Sequence, residues 1–311
     1  MEASTPSRTA LVTALMRSLH TRADPQPILN DPWGERLVPA QVREAIAQRA
    51  RAARSPEQRA GTDETPASLL VDDWLRANPA YANVITRSRY AEDALHAAVA
   101  RGVRQYVLVG AGFDSYALRM PEEAQALRVF EIDHPATQSL KLRRLDELGV
   151  PRPPAARFLA ADLGEESIGQ VLARSDFDRA APAFFTWLGV TMYLPRAANL
   201  ASLRAMAECG AAGSELVFTY TDQEVFDRAD DPRFARFAEM QRSVSALGEP
   251  YLSGFHPAAL REDLQRVGFA LLEDLDGAAL LRRCDPEGRN GLRAGTNSHI
   301  AHARVDRAQA G

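Results

Sequence analysis

From Gly102 onward, short apolar runs rich in β-branched and aromatic residues alternate with helical stretches, and this alternation restricts the fold more than any other feature of the chain. Residues 105–110 (QYVLVG), 127–133 (LRVFEID), 157–162 (RFLAAD), 183–188 (AFFTWL) and 215–220 (ELVFTY) read as strands. Between them lie a short helix around Tyr116, a helix over 134–148 closed by Gly149, and one that Pro195 opens at its favoured first-turn position. Another helix is expected over 257–267. Strands that are apolar on both faces and joined by helices predict parallel βαβ units. The last two runs, 269–275 (FALLEDL) and 298–305 (SHIAHARV), show no helical pattern between them, which predicts an antiparallel pair at one edge. The expected core is a mostly parallel, seven-stranded α/β sheet with a terminal antiparallel strand.

The first hundred residues have a different texture. Leu11, Leu15 and Leu19, with Val12 and Met16, recur at helical spacing. Breakers follow at 24–27 (DPQP) and 30–34 (NDPWG), then a helix over 41–54 with a basic face, a polar stretch at 55–66 expected to be mobile, and a helix over 80–100 stopped by Arg101-Gly102. This divides the chain into a helical N-terminal lid, 1–100, and a catalytic domain, 101–311. The stretch 221–255 is too long for an ordinary connection and reads as a cap insertion. Its Phe234, Phe237, Met240, Val244 and Leu247 share one helical face, suited to packing on the core, to covering a substrate pocket, or to both.

Composition removes several function classes. A net charge of -4 and a pI near 5.9 give no basic field for nucleic acid. Cys209 and Cys284 lack the spacing of a disulfide framework or a metal site, so no metal is expected and a reducing cytoplasm fits. No run reaches the roughly 18 apolar residues of a membrane span, and the stretch 10–16 is too short and broken for a secretion signal.

The strongest local signal is Val107-Leu108-Val109-Gly110-Ala111-Gly112-Phe113-Asp114-Ser115. A strand runs into Gly-x-Gly, whose two glycines let the backbone turn sharply and approach a ligand closely. A dinucleotide fingerprint would place glycine or alanine at Ser115 and no acid in the loop. Asp114 would repel a pyrophosphate but suits the methionyl ammonium of S-adenosylmethionine; it also suits capping of the next helix. Asp133, at the end of the second strand and about 20 residues past the glycines, is placed to accept hydrogen bonds from ribose hydroxyls. Asp162 ends the third strand, where it can accept an adenine amino group or cap the following helix, and Leu163 can offer a backbone N–H and an apolar wall. These features point to a Rossmann-like fold of the class I methyltransferase type.

Residues 110–119 (GAGFDSYALR), 131–138 (EIDHPATQ), Ala161-Asp162-Leu163 and 187–195 (WLGVTMYLP) resemble the leucine carboxyl methyltransferase-like superfamily, in particular its bacterial branch of S-adenosylmethionine-dependent methyltransferases. The resemblance extends to Asp31-Pro32-Trp33, Arg87-Ser88-Arg89-Tyr90 and Gly291-Leu292-Arg293. It implies S-adenosyl-L-methionine as cofactor and an O-methyltransferase activity around polyketide and other secondary-metabolite chemistry. It also implies that Arg87 or Arg89 grips the methionyl carboxylate. Being two positions apart, the two cannot share a helical face. Family members often carry a glutamate where this chain has Leu188, so no carboxylate role carries over there.

Methyl transfer from a sulfonium needs orientation more than activation, and a carboxylate acceptor needs no base, whereas a phenol or alcohol does. Tyr193 and Tyr220, near the ends of the fourth and fifth strands, are candidates to hydrogen-bond the acceptor oxygen, and otherwise pack. His256 is a candidate base, and otherwise opens a helix. The expected protein is an enzyme acting on a small-molecule acceptor, carboxylate before hydroxyl, as a monomer or homodimer. The rivals are a protein C-terminal carboxyl methyltransferase, an NAD-dependent oxidoreductase and a silent cofactor-binding module.

Overall fold

The computed structural model describes residues 6–53, 65–245 and 249–306. Seven strands, β1 (Gln105–Val109), β2 (Arg128–Asp133), β3 (Ala156–Ala160), β4 (Phe184–Trp187), β5 (Glu215–Thr221), β6 (Phe269–Asp276) and β7 (Ser298–Val305), form one sheet in the order β3-β2-β1-β4-β5-β7-β6. The pairs from β3 to β5 are parallel, while β7 runs antiparallel to both β5 and β6. The sheet is that of the class I methyltransferase fold. Alternation along each strand feeds two apolar layers. Val107, Val109, Phe130, Ile132, Phe185 and Phe218 join one core, and Leu108, Val129, Phe184 and Val217 join the other.

Helices cover both faces. α1 (Arg8–Ala23), α2 (Gly34–Leu37), α3 (Ala40–Ala52), α4 (Ala67–Ala77) and α5 (Tyr81–Ala100) precede the sheet. The long α5 lays Leu95, Ala98 and Val99 against it. Leu11, Leu15 and Leu19 of α1 pack with Phe113 of the glycine loop and with Leu145 of α6 (Pro135–Glu147). On the other face, α7 (Ile168–Leu172) and α8 (Arg196–Cys209) contribute Val171, Leu203 and Met206. The expected insertion contains α9 (Glu224–Asp227) and α10 (Ala235–Ser245); α11 (Pro257–Arg266) follows it. Val225, Phe234 and Phe237 form a small separate cluster with Phe226 and Tyr251. Of the expected apolar face, Leu247 and the Met240 and Val244 side chains lie outside the described residues, as does the polar stretch except its last two positions.

Two elements correct the sequence reading. α12 (Gly277–Cys284) stands between β6 and β7, where no helix was expected. It is too short to show periodicity, and Asp276 caps it by accepting from the Ala279 N–H at 2.6 Å. α4 is the second, built on buried Leu70, Val71 and Leu75. Pro195 is the N-cap of α8 rather than its first residue. No helix among the described residues is long and apolar enough to cross a membrane.

Candidate active site

The carboxyl ends of β1 to β4 meet at the point where strand order reverses, with β1 between β2 and β4. Open α/β sheets bind ligands at such a switch point, because loops diverging to opposite faces leave a crevice. Here the crevice is a cleft of about 330 Å³, roofed by α1 and by Glu249-Pro250 of the insertion.

The glycine loop forms its floor. Gly110 and Gly112 have φ of 71° and 54°, which side chains with a Cβ rarely adopt. A Cβ on Gly110 would lie 2.5 Å from Val190 Cγ2, and one on Gly112 would lie 3.0 Å from Ala10 Cβ. The loop therefore threads between α1 and the turn after β4 only as glycine. The Gly110 and Ala111 N–H groups donate to Ile132 O at 2.9 and 3.0 Å, which holds the loop on β2.

Asp133 ends β2 and clamps the same loop. Its Oδ2 accepts from the Gly112 N–H and its Oδ1 from the His134 N–H at 2.6 Å. Burial pushes its carboxyl above the usual range, and the two backbone N–H groups oppose that shift. Each oxygen keeps a lone pair beside the cleft. Glu131, two positions back, is fully buried and paired with buried Lys141, away from the cleft. Asp114 lines the cleft and accepts from the Tyr116 N–H at 2.8 Å, so both roles considered for it, loop acid and cap, are geometrically open. Asp162 lines the cleft and accepts from the Gly164 N–H at 2.9 Å. The Leu163 side chain turns into the core instead.

The two candidate arginines part company. Arg89 is exposed, pairs with Asp93 at 2.8 Å and donates to Ile28 O. Arg87 faces the cleft, and among the described residues no carboxylate lies within salt-bridge distance of it. Burial, and then the cation of Arg17, push its pKa down to about 10, which leaves it charged at neutral pH. Gly189 (φ 73°) makes room for this: a Cβ there would stand 2.7 Å from an Arg87 guanidinium nitrogen.

Tyr193 lines the cleft and packs edge-on to Tyr251 at 5.3 Å between ring centroids. Its hydroxyl is hydrogen-bonded within a set formed with Thr9 and Tyr251, and burial raises its pKa, so it stays protonated. The other two catalytic candidates are corrected. Tyr220 is buried behind the rim, its hydroxyl donates to Asp274 at 2.8 Å and its ring stacks on His299. Antiparallel pairing with β7 draws it there. His256 is about half exposed, faces Asp227 at 3.4 Å, and lies outside the cleft. Leu188 lines the cleft at the end of β4.

Sequence reasoning missed a polar frame that ties the N-terminal helices to the loop. Arg17 donates to Asp31 at 2.7 Å and to Phe113 O at 2.8 Å, and Ser115 donates to the other Asp31 oxygen at 2.6 Å. Asp31 and its neighbours stood out as a turn and as part of the family resemblance, with no sign of these partners. The roof was also missed. Glu249 accepts from the Arg8 and Thr9 N–H groups at 3.2 and 3.3 Å, so an insertion residue caps α1. A lone glutamate in a long insertion carries no local signal of that partner.

The family model for leucine carboxyl methyltransferase matches residues 10–207. "Putative S-adenosyl-L-methionine-dependent methyltransferase YktD" of Bacillus subtilis is 27% identical over 97% of this chain and 99% of its own. A Mycobacteroides abscessus protein named a putative S-adenosyl-L-methionine-dependent methyltransferase is 33% identical over 69% of this chain and 67% of its own. A crystal structure titled a putative methyltransferase from Thermobifida fusca shares the fold, with a TM-score of 0.53 and 19% identity, covering 84% of this chain and 94% of that one. This chain belongs to the leucine carboxyl methyltransferase family and is an S-adenosylmethionine-dependent methyltransferase.

Proposed function

We propose that the enzyme is an O-methyltransferase that esterifies a small-molecule carboxylate, in secondary metabolism such as polyketide tailoring. The observation that carries this reading is the state of the cleft's own acids. Asp114, Asp133, Asp162 and Glu249 each already accept a backbone N–H, and the N-capping Nδ1 of His134 accepts from Ala136 N. Tyr193 holds its proton. With Asp114, Asp133 and Asp162 assigned below to the cofactor and Glu249 tied to α1 by the Arg8 and Thr9 N–H groups and the Thr9 hydroxyl, no acid among the described cleft residues is reserved for proton abstraction, and a carboxylate acceptor needs no base.

The residues suit the cofactor. S-adenosylmethionine brings an electrophilic methyl on a sulfonium. Arg87, a cation lacking an ion-pair partner among the described residues, suits its carboxylate. Asp114 suits its ammonium, the spare lone pairs of Asp133 suit ribose hydroxyls, and Asp162 suits the adenine amino group. Tyr193 would turn its O–H from Tyr251 to donate to an acceptor oxygen and orient it. The N-terminal helices and residues 221–255 would act as a lid, a reading supported by the Glu249 contact with α1. We place the enzyme in a reducing cytoplasm, where the free thiols of Cys209 and Cys284 would persist.

Calorimetric titration with S-adenosylhomocysteine, followed by transfer of a labelled methyl group to a panel of carboxylic acids and phenols, tests this. The expected product loses its label as methanol in mild alkali, as esters do. An alkali-stable product would move the acceptor to a hydroxyl. Cofactor binding without transfer to any acceptor would favour a silent module.

A further inference from the structure

A second cavity of about 740 Å³ opens on the same rim of the sheet, above the end of β5 and the start of β7. It shares Arg87 with the cofactor cleft as a common wall. Met192, Phe237 and Tyr251 line one side, and Asn83 and residues 290–295 line another. Its size is that of a pocket for a drug-sized molecule, for which about 300–1,000 Å³ is typical.

Its charge is one-sided. Arg76, Arg87, Arg233 and Arg293 line it, and no carboxylate does among the described residues. Arg76 is held from outside by Asp24, and Arg233 by Asp231 at 2.7 Å. Arg87 is assigned to the cofactor carboxylate by the reading above. That leaves Arg293, for which the described residues supply no ion-pair partner. Asn83, one turn before Arg87 on α5 and on the same helical face, adds a polar side chain to this wall, while its Oδ1 is covered from solvent close to Gly277 of α12.

We infer that the acceptor occupies this second cavity and meets the cofactor at the Arg87 wall. The acceptor is an amphipathic organic anion with a charged group remote from the atom that is methylated. That charge pairs with Arg293, a polar group answers Asn83, and the apolar body lies on Met192, Phe237 and Tyr251. The inference rests on the methyltransferase reading of the neighbouring cleft, and goes beyond it in naming the chamber and the residues that select the acceptor.

The test uses the whole protein saturated with S-adenosylhomocysteine and two fluorescent probes: 1-anilinonaphthalene-8-sulfonate, an aromatic anion, and N-phenyl-1-naphthylamine, its uncharged counterpart. The anion is expected to bind at one site, undisplaced by further S-adenosylhomocysteine. Arg293→Glu should weaken it at least tenfold and Arg293→Lys at most threefold, with the uncharged probe unmoved by either. Phe237→Ala should weaken both probes. Arg293 is exposed, so its variants test the idea even if Phe237→Ala fails to fold. Displacement of the anion by S-adenosylhomocysteine, its failure to bind, or an unchanged affinity in Arg293→Glu would overturn the inference. Calorimetric binding of S-adenosylhomocysteine to the same sample separates that failure from failure of the cofactor assignment.

Discussion

Over β1 to β4, most residues facing the cleft sit at the end of a strand or within a few positions of one: Gly110 after β1, Asp133 closing β2, Asp162 after β3, Leu188 and Gly189 after β4. Over β5 and β7 the second cavity is walled instead by α5, the insertion and residues 290–297, which are distant in sequence and come together only on folding. The first arrangement follows from the sheet itself, because parallel strands deliver their ends to one line. The second depends on how three segments happen to pack. A cofactor shared across many reactions belongs at the first kind of site, and an acceptor peculiar to one enzyme at the second.

This contrast can be broken most directly at Asp133. Asp133→Ala removes the acceptor for the Gly112 and His134 N–H groups and, in the proposed cofactor pose, for the ribose hydroxyls. Charged hydrogen bonds are worth about 1.5–3 kcal/mol each, so affinity for S-adenosylhomocysteine should fall on the order of 100-fold or more. An affinity within threefold of the parent, by calorimetry, would move the ribose site off β2. The arginines give the next largest effect. Arg87→Ala should lose about 1.5–3 kcal/mol of binding. Arg89→Ala should leave binding unchanged and cost stability by no more than about 1 kcal/mol, as an exposed ion pair does. Equal losses in both would remove the partition that the structure draws between them.

Gly189 tests whether the rim after β4 supports Arg87. Gly189→Ala and Gly213→Ala both force alanine into a left-handed conformation (φ 73° and 84°), at about 1–3 kcal/mol of strain. Only at Gly189 would the new methyl meet Arg87. Both variants should melt earlier, and only Gly189→Ala should bind S-adenosylhomocysteine several-fold more weakly. The smallest effect on binding is expected at the opposite end of the sheet. Glu215 opens β5 among His302, Arg101 and Arg304; despite its burial these partners hold its carboxyl down at about 2, against an ordinary 4.5. A carboxyl depressed on folding stabilises the native state above its unfolded value, and that stabilisation is lost as pH falls. The melting temperature of the parent should therefore drop between pH 4.5 and about 2 more steeply than that of Glu215→Gln, while cofactor affinity at neutral pH stays the same in both. Parallel curves would show that the cluster is not formed.

The sequence by itself determined what is local. Strand–helix alternation fixed a parallel sheet with an antiparallel end, since a strand's side-chain period and a helix's are legible within a dozen residues. The Gly-x-Gly after β1 and the acids at the ends of β2 and β3 were legible for the same reason: each is a few residues from the strand that aims it. Helical geometry separated Arg87 from Arg89, about 200° apart around α5, without saying which one faces inward. Tertiary structure alone decided that Arg87 does, that β7 turns Tyr220 toward Asp274, and that His256 stays outside the cleft. It also decided that Glu249 caps a helix 241 residues away and that three distant segments enclose the second cavity. Such contacts close long loops, and a single sequence holds no local pattern that pairs one end with the other.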